Sequence, residues 1–546
     1  MFNLSLSSFR RRWFIRYLSL ICLCLFLGVT YITGVQPKAR ANGNSDRLTI
    51  GTTSKPRTLD PADAYETGSM GLIYNMSDRL YTYPPGSTEV KPELATDFPK
   101  MSADGLTYTI PLRQGVLFHD GNPFNAEAMA FSLERFIKNK GKPSFLLGDV
   151  VDSVKATGEY ELTIKLKQQF SAFPSLLAFA GVCPVSPKAY EIGENKFNPS
   201  NFIGTGPYKL VKFGTDKVQL DVFDKYWGEK PKNNGVTLQI LSSGVNLFNN
   251  FRKKSVDVAG LSMDADQIRS LRDGAKEKSW KEIANRGSVV YFMAVNHNQK
   301  PLDNPIVRQA LALMINRPII FERVLYGQAQ AVYSMIPNTF TQYKPVFQEQ
   351  YGDNGNPEKA KELLKQAGFS KENPAKVEIW FRSNVASSTL TAIVIKAIAK
   401  KTMDGLLEIQ PNGIESTSFY RNIKKGAYPT SLAEWYPDFL DADNYIQPFL
   451  KCDKGSKEKG CEEGGSVSQG SFYYSERMNE LIEAQRKEQN PEKRKQLFAE
   501  IQDILAKDVP YIPLWQTQDF LFAQNNISGV TQDPSQTLIY SAIKKG

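Results

Sequence analysis

Residues 160–167, YELTIKLK, alternate Tyr160, Leu162, Ile164 and Leu166 against Glu161, Thr163, Lys165 and Lys167. A period of two sets the first group on one face of a strand and leaves the second in water. Residues 106–118, LTYTIPLRQGVLF, predict strand material interrupted at Pro111 and Gly115. Helices show first in their starts. Asn304–Pro305, Asn356–Pro357 and Asn490–Pro491 each open a stretch of helical periodicity. The Asn side chain can accept from an orphan amide, and Pro suits the first helical position. Gly368 is placed to end the second of these helices. In the third, Leu497, Ile501 and Ile504 or Leu505 are predicted to share one face. No period of 20–50 residues appears, so the chain is no solenoid. The one low-complexity stretch lies around 452–470. Strands and helices mix without strict βαβ regularity, which predicts a mixed α/β or α+β protein with more than one lobe.

The ends change how the charge is read. The 546-residue chain carries a formal net charge of +10. Arg10, Arg11, Arg12 and Arg16 precede a 16-residue apolar run, Tyr17 to Ile32, and Ala39-Arg40-Ala41 has the small-x-small form of a processing site. This predicts a secretory signal, residues 1–41, cleaved after Ala41. An uncleaved membrane anchor is the alternative, although the run is short for a span of about 20 residues. RRWFIR resembles a twin-arginine export motif, and the general secretory route also fits. Neither Cys22 nor Cys24 follows a small residue, which disfavours a lipid anchor. The predicted signal holds six Lys/Arg and no acids, so removing it takes the charge from +10 to +4. Most of the basicity then belongs to targeting, and nucleic acid loses its main support as a partner. The 505 residues left are enough for two or three domains.

Cys452 and Cys461 flank a polar loop, KCDKGSKEKGCEEGG. In an oxidising compartment a disulfide between them is expected, two free surface thiols being the alternative. Cys183 is left for packing.

Much catalytic chemistry is missing. Only His119 and His297 occur; there is no HExxH, no paired CxxC, no GxxxxGK and no GxSxG. Zinc, ATP hydrolysis by this chain and a nucleophile elbow all lose support. His119, in a Gly-bounded turn, and His297, after a strand-like run, are read as turn or packing residues. Carboxylates remain. EWYPDFLDADNY (434–445) holds Glu434, Asp438, Asp441 and Asp443. Asp438, Asp441 and Asp443 could supply a glycosidase pair, but spacing on a loop does not fix the separation it needs, and a calcium loop lacks its central Gly and terminal Glu here. A solvated loop is the plainest alternative.

Five segments together resemble the family 5 extracellular solute-binding proteins of ABC transporters, which take dipeptides, oligopeptides or nickel. They are TLDPADAYETGSMGLIYNMSDRLY (58–81), LTYTIPLRQGVLFHDGNPFNAEAMAFSLER (106–135), GTGPY (204–208), VYFMAVNHNQKPLDNPIVRQALALMINRP (290–318) and NPEKAKELLKQAGF (356–369). They stand in the family's order and are spread over residues 58–369. Two departures are KKSVDV (253–258), which lacks the family's Gly, and Met129 in place of Val.

The resemblance implies an α/β, two-lobed, type II periplasmic binding protein with a two-segment hinge. One lobe would comprise 47–84, 199–295 and 513–546, with an extra domain at 85–198; the second lobe would span 296–512. Ligand would be held in the interlobe cleft. The protein would act as an exported, non-enzymatic monomer without cofactor or metal, serving an ABC permease and its ATPase subunits. In peptide-binding relatives a Trp-x-x-Asp segment carries the aspartate that meets the ligand's ammonium. Here that places the role on Asp438, with Trp435 as a cleft wall, and Asp441 and Asp443 as loop-structuring residues. Arg382, in IWFRSNV, is the candidate for a ligand carboxylate. Thr67 and Ser69 are expected to face the cleft. Receptors of the same fold for chelated nickel, opines or oligosaccharides, and a secreted hydrolase using the acidic cluster, are the competing readings.

Overall fold

The computed structural model describes residues 46–260 and 263–546; the predicted signal lies outside them. Three expected helix starts fold as their caps dictate. The helix Pro305–Met314 has Asn304 accepting from the Ile306 amide at 2.9 Å. Pro357–Gln366 is capped by Asn356, from Lys359 N at 3.1 Å. Asn490 caps Pro491–Asp508 through the amides of Glu492 and Lys493. Gly368 takes a φ of +87° just past the second helix, a conformation that suits glycine. In the third helix the buried stripe is Arg494, Phe498, Ile501 and Leu505. Leu497 and Ile504 flank it half-buried, so the face is turned by one residue from the expected one.

The alternating segment is strand Glu161–Leu166, with Leu162, Ile164 and Leu166 buried. It lies inside a four-stranded antiparallel sheet with Lys100–Met101, Thr107–Pro111 and Val151–Gly158. The helix Ala126–Lys138 packs its buried Met129, Leu133 and Phe136 in the same core.

A larger sheet organises the rest. Its eleven strands are β1 (Leu48–Thr52), β2 (Tyr208–Phe213), β3 (Lys217–Val222), β4 (Val236–Ile240), β5 (Val258–Gly260), β6 (Lys281–Val295), β7 (Ala329–Ala331), β8 (Ala375–Arg382), β9 (Leu407–Ile414), β10 (Thr430–Trp435) and β11 (Tyr511–Ala523). They run in the order β9-β8-β10-β6-β11-β5-β1-β4-β3-β2, with β7 on β11. The two long strands β6 and β11 pair antiparallel along their length. Their register breaks between Arg286 and Val290. Before the break, β11 carries β5 on its other edge through Leu521–Ala523. Beyond it, β6 carries β10 through Val290–Val295. The sheet is therefore two half-sheets that meet in one crossing ribbon. An irregular pairing of this kind bends and twists a ribbon. From Arg47 onward the chain forms one compact unit, and no helix among the described residues is long and apolar enough to cross a membrane.

Cys452 and Cys461 are joined in a disulfide with Cα atoms 5.7 Å apart. It clips the two strands of the hairpin Cys452–Ser456/Gly460–Gly464. Both cysteines are buried, and Cys183 is buried and free. Replacing Cys452 and Cys461 by serine is expected to lower stability by about 2–3 kcal/mol, the loop-closure entropy of so short a ring. A denaturant midpoint equal to that of the wild type would refute this.

His119 Nε2 lies 3.0 Å from Gly206 O and its ring meets Phe223 edge-on. Burial pulls its pKa down to about 4. His297 is likewise lowered by burial and lies against Tyr473. Both are neutral packing groups.

Candidate functional site

The acidic segment 434–445 begins where β10 ends. Asn444 fastens its start: Oδ1 accepts from Trp435 Nε1 at 3.1 Å and from Asp438 N at 3.0 Å. Arg494 grips Asp441 with two bonds of 2.7 and 2.8 Å. Gln485 donates to Asp443, and the Arg486 guanidinium stands 3.5 Å from it. Tyr83 and Tyr445 complete the frame, through Leu440 N and Ser288 O. Asp441 and Asp443 thus hold the loop to the helices Glu476–Lys487 and Pro491–Asp508.

Asp438 is differently placed. No cation among the described residues lies within ion-pair distance of it. Burial raises its carboxyl above the usual aspartate range, offset by hydrogen bonds from Tyr65 and Asn444. Tyr65 Oη donates to Asp438 Oδ1 at 2.5 Å. Its own titration is pushed up by burial and by the Asp438 charge. Tyr65 precedes the helix Thr67–Met76, far from Asp438 in sequence, and its ring meets Phe145 edge-on at 5.9 Å. The contact joins the β1 half of the molecule to the β10 half. Tyr65, Phe145, Tyr420 and Tyr436 are all exposed large aromatics, with Tyr436 at 49%.

Asp438 borrows part of its ionisation from the phenol, which gives a prediction. In Tyr65→Phe one donor to the carboxylate is lost, so the Asp438 pKa rises further. Carboxyl-detected NMR titration measures this, and an unchanged value would show that the bond does not form in solution.

The other expected site residues fall differently. Arg382 is half-buried, and its guanidinium is engaged by Glu434, with Tyr420 5.5 Å away. The sequence made it the candidate for a ligand carboxylate; in the fold its charge is already met by Glu434 on the neighbouring strand. Trp435 is half-buried and turns its ring edge-on to Phe449 at 5.1 Å. Ser69 does not face a cleft: it is fully buried, and its hydroxyl donates to Glu66 Oε1 at 2.6 Å, closing the loop before the helix. Thr67, at the first helical position, is exposed. Tyr65, Tyr436 and Phe145 escaped sequence reading because nothing in their local pattern separates an exposed aromatic from a core one.

Among the described residues no group of three or more His, Cys, Asp or Glu is arranged to hold a metal ion. The profile for bacterial extracellular solute-binding proteins, family 5 (middle), matches residues 89–457. The chain is 29% identical over 477 residues to the glutathione-binding protein GsiB of Salmonella typhi, covering 84% of this chain and 86% of that one. It is 26% identical over 508 residues to the dipeptide-binding protein of Escherichia coli K12, covering 88% and 90%. The solved structure of the periplasmic binding protein DppA from Helicobacter pylori with the peptide STSA superposes with a TM-score of 0.72, at 23% identity, over 91% of this chain and 98% of that one.

Proposed function

Since the chain belongs to the family 5 bacterial extracellular solute-binding proteins, with their two-lobed α/β fold, we propose that it captures peptides by their free ammonium end in the interlobe cleft. The peptide passes unchanged to a membrane permease driven by its ATPase subunits, and the receptor acts as an exported monomer. The lobes are read as 47–84 with 199–295 and 513–546, and as 296–512, the inserted domain being 85–198. The four-stranded sheet within 100–166 supports treating that insertion as a unit.

One observation carries the ligand class: Asp438 is a half-buried carboxylate whose side-chain partner across the molecule is a neutral phenol. A buried carboxylate without a cation is costly. A primary ammonium entering beside Tyr65 supplies the missing charge through bonds about twice as strong as neutral ones. The phenol donates to Oδ1, and a carboxylate has about four acceptor positions, so it leaves room for the ammonium. Names of relatives that bind glutathione and dipeptides point the same way.

Native mass spectrometry of the protein taken directly from cells tests the reading. A mass increment that fragments into a peptide supports it; a sugar or a metal chelate overturns it. Incubation with a peptide library separates receptor from hydrolase, because a hydrolase generates new fragments and a receptor returns the peptides intact.

A further inference from the structure

Asp519 stands on β11 at the crossing ribbon and is only 6% exposed. Its partners are neutral. Gln536 Nε2 donates to Oδ1 at 2.7 Å, and also to the Thr517 hydroxyl, on the same strand face, at 3.3 Å. Across the ribbon it pairs with Asn285, whose side-chain amide is turned to Gln532 at 3.1 Å. Alternation along β6 turns Arg286 to the opposite face. Gly287 closes this side: a Cβ there would lie 1.9 Å from Thr517 Oγ1 and 2.9 Å from Asp519 Oδ1. The missing side chain is what leaves room for the carboxylate. From the C-terminal segment, Asp533 is occupied by Ser535 and the Thr537 amide.

From the other half of the sheet comes Tyr436, which is half-exposed and whose phenol feels the charges of Glu434 and Asp519. Glu434 is neutralised by Arg382. The uncompensated charge near Tyr436 is therefore that of Asp519, just as the uncompensated charge near Tyr65 is that of Asp438. Glu434, Tyr436 and Asp438 are spaced two apart, which sets Tyr436 between the paired and the unpaired acid.

We propose that Asp519 is a second cation-recognition point, selecting peptides that carry a basic side chain beyond their terminal ammonium. This rests on the peptide reading above. An ammonium or guanidinium that reaches Asp519 meets a carboxylate already largely stripped of water. The amide of Gln536 holds that carboxylate in place but cannot neutralise it.

Titration calorimetry of the full chain, freed of ligand, with Ala-Ala-Ala, Ala-Lys-Ala and Ala-Ala-Lys tests the proposal. The better lysine peptide is expected to bind about 10-fold tighter than Ala-Ala-Ala, the effect of one favourable charge contact. Asp519→Asn should bring that ratio to about one while changing Ala-Ala-Ala by no more than about twofold. A wild type without preference, or a variant that keeps it, overturns the inference and leaves the peptide reading standing. Failure of all three peptides to bind overturns both. A second measurement does not need the variant to fold. Burial holds the Asp519 carboxyl at about 6, so near pH 6 an arriving cation lowers that pKa and expels a proton. Calorimetry in two buffers of different ionisation enthalpy should show proton release with the preferred lysine peptide in excess of that with Ala-Ala-Ala; equal release overturns the proposal.

Discussion

Asp438→Asn weakens binding of a free-amine peptide by about 2–5 kcal/mol, roughly 30-fold to several-thousand-fold, and barely affects its N-acetylated counterpart. The asymmetry is the point. Truncating one member of a buried, hydrogen-bonded charge pair costs its Coulombic partner and leaves the other charge dry and alone. An acetylated peptide brings no charge, so there is nothing to strand. Asparagine keeps the shape and still accepts from Tyr65, which separates the charge from the packing. Calorimetry with the matched peptide pair reads the difference directly, and equal losses for both peptides would sink the ammonium role.

Asp60→Ala is expected to destabilise the fold by about 3–5 kcal/mol. Asp60 is fully buried and receives both Nη atoms of Arg135, at 2.6 and 2.8 Å. It also accepts from the amides of Ala62 and Asn198. Arg135 is 2% exposed, lies over the ring of Tyr190 and donates to the carbonyls of Glu191 and Lys196. Removing the carboxylate leaves a guanidinium buried without a counter-charge. Urea unfolding measures the loss, and a change under about 1 kcal/mol would contradict the buried pair. Peptide affinity of the folded fraction should stay near that of the wild type, because neither residue hydrogen-bonds to Asp438, whose partners are Tyr65 and Asn444.

That pair also shows what was legible beforehand. TLDPAD and the segment ending in FSLER were recognised as separate blocks of one resemblance. The structure shows them meeting through Asp60 and Arg135. Sequence cannot show this, because burial joins residues 75 positions apart. Local signals did better. Caps at Asn304, Asn356 and Asn490 and the alternation at 160–167 are set by neighbours within a turn or a strand, so they read correctly. The site read less well. Asp438 was singled out by a Trp-x-x-Asp pattern, but the phenol it meets lies 373 positions away. Arg382 looked free because Glu434, 52 positions on, reaches it only once β8 and β10 lie side by side. Ser69 looked available because a polar side chain does not by itself reveal that its hydroxyl is claimed by Glu66, three residues before it.

The crossing ribbon also bears on the order in which the molecule folds. β6 cannot complete its pairing until β11 exists, and Lys281 meets Ala523 across 242 residues of intervening sequence position. Contacts this distant form slowly, because loop closure precedes any reward from them. The half-sheet around β1 waits as well, since β5 takes its second edge from Leu521–Ala523. Residues from distant parts of the chain therefore join both halves. Pulse-labelling hydrogen exchange during refolding would find the β6–β11 amides protected after those of the local four-stranded sheet.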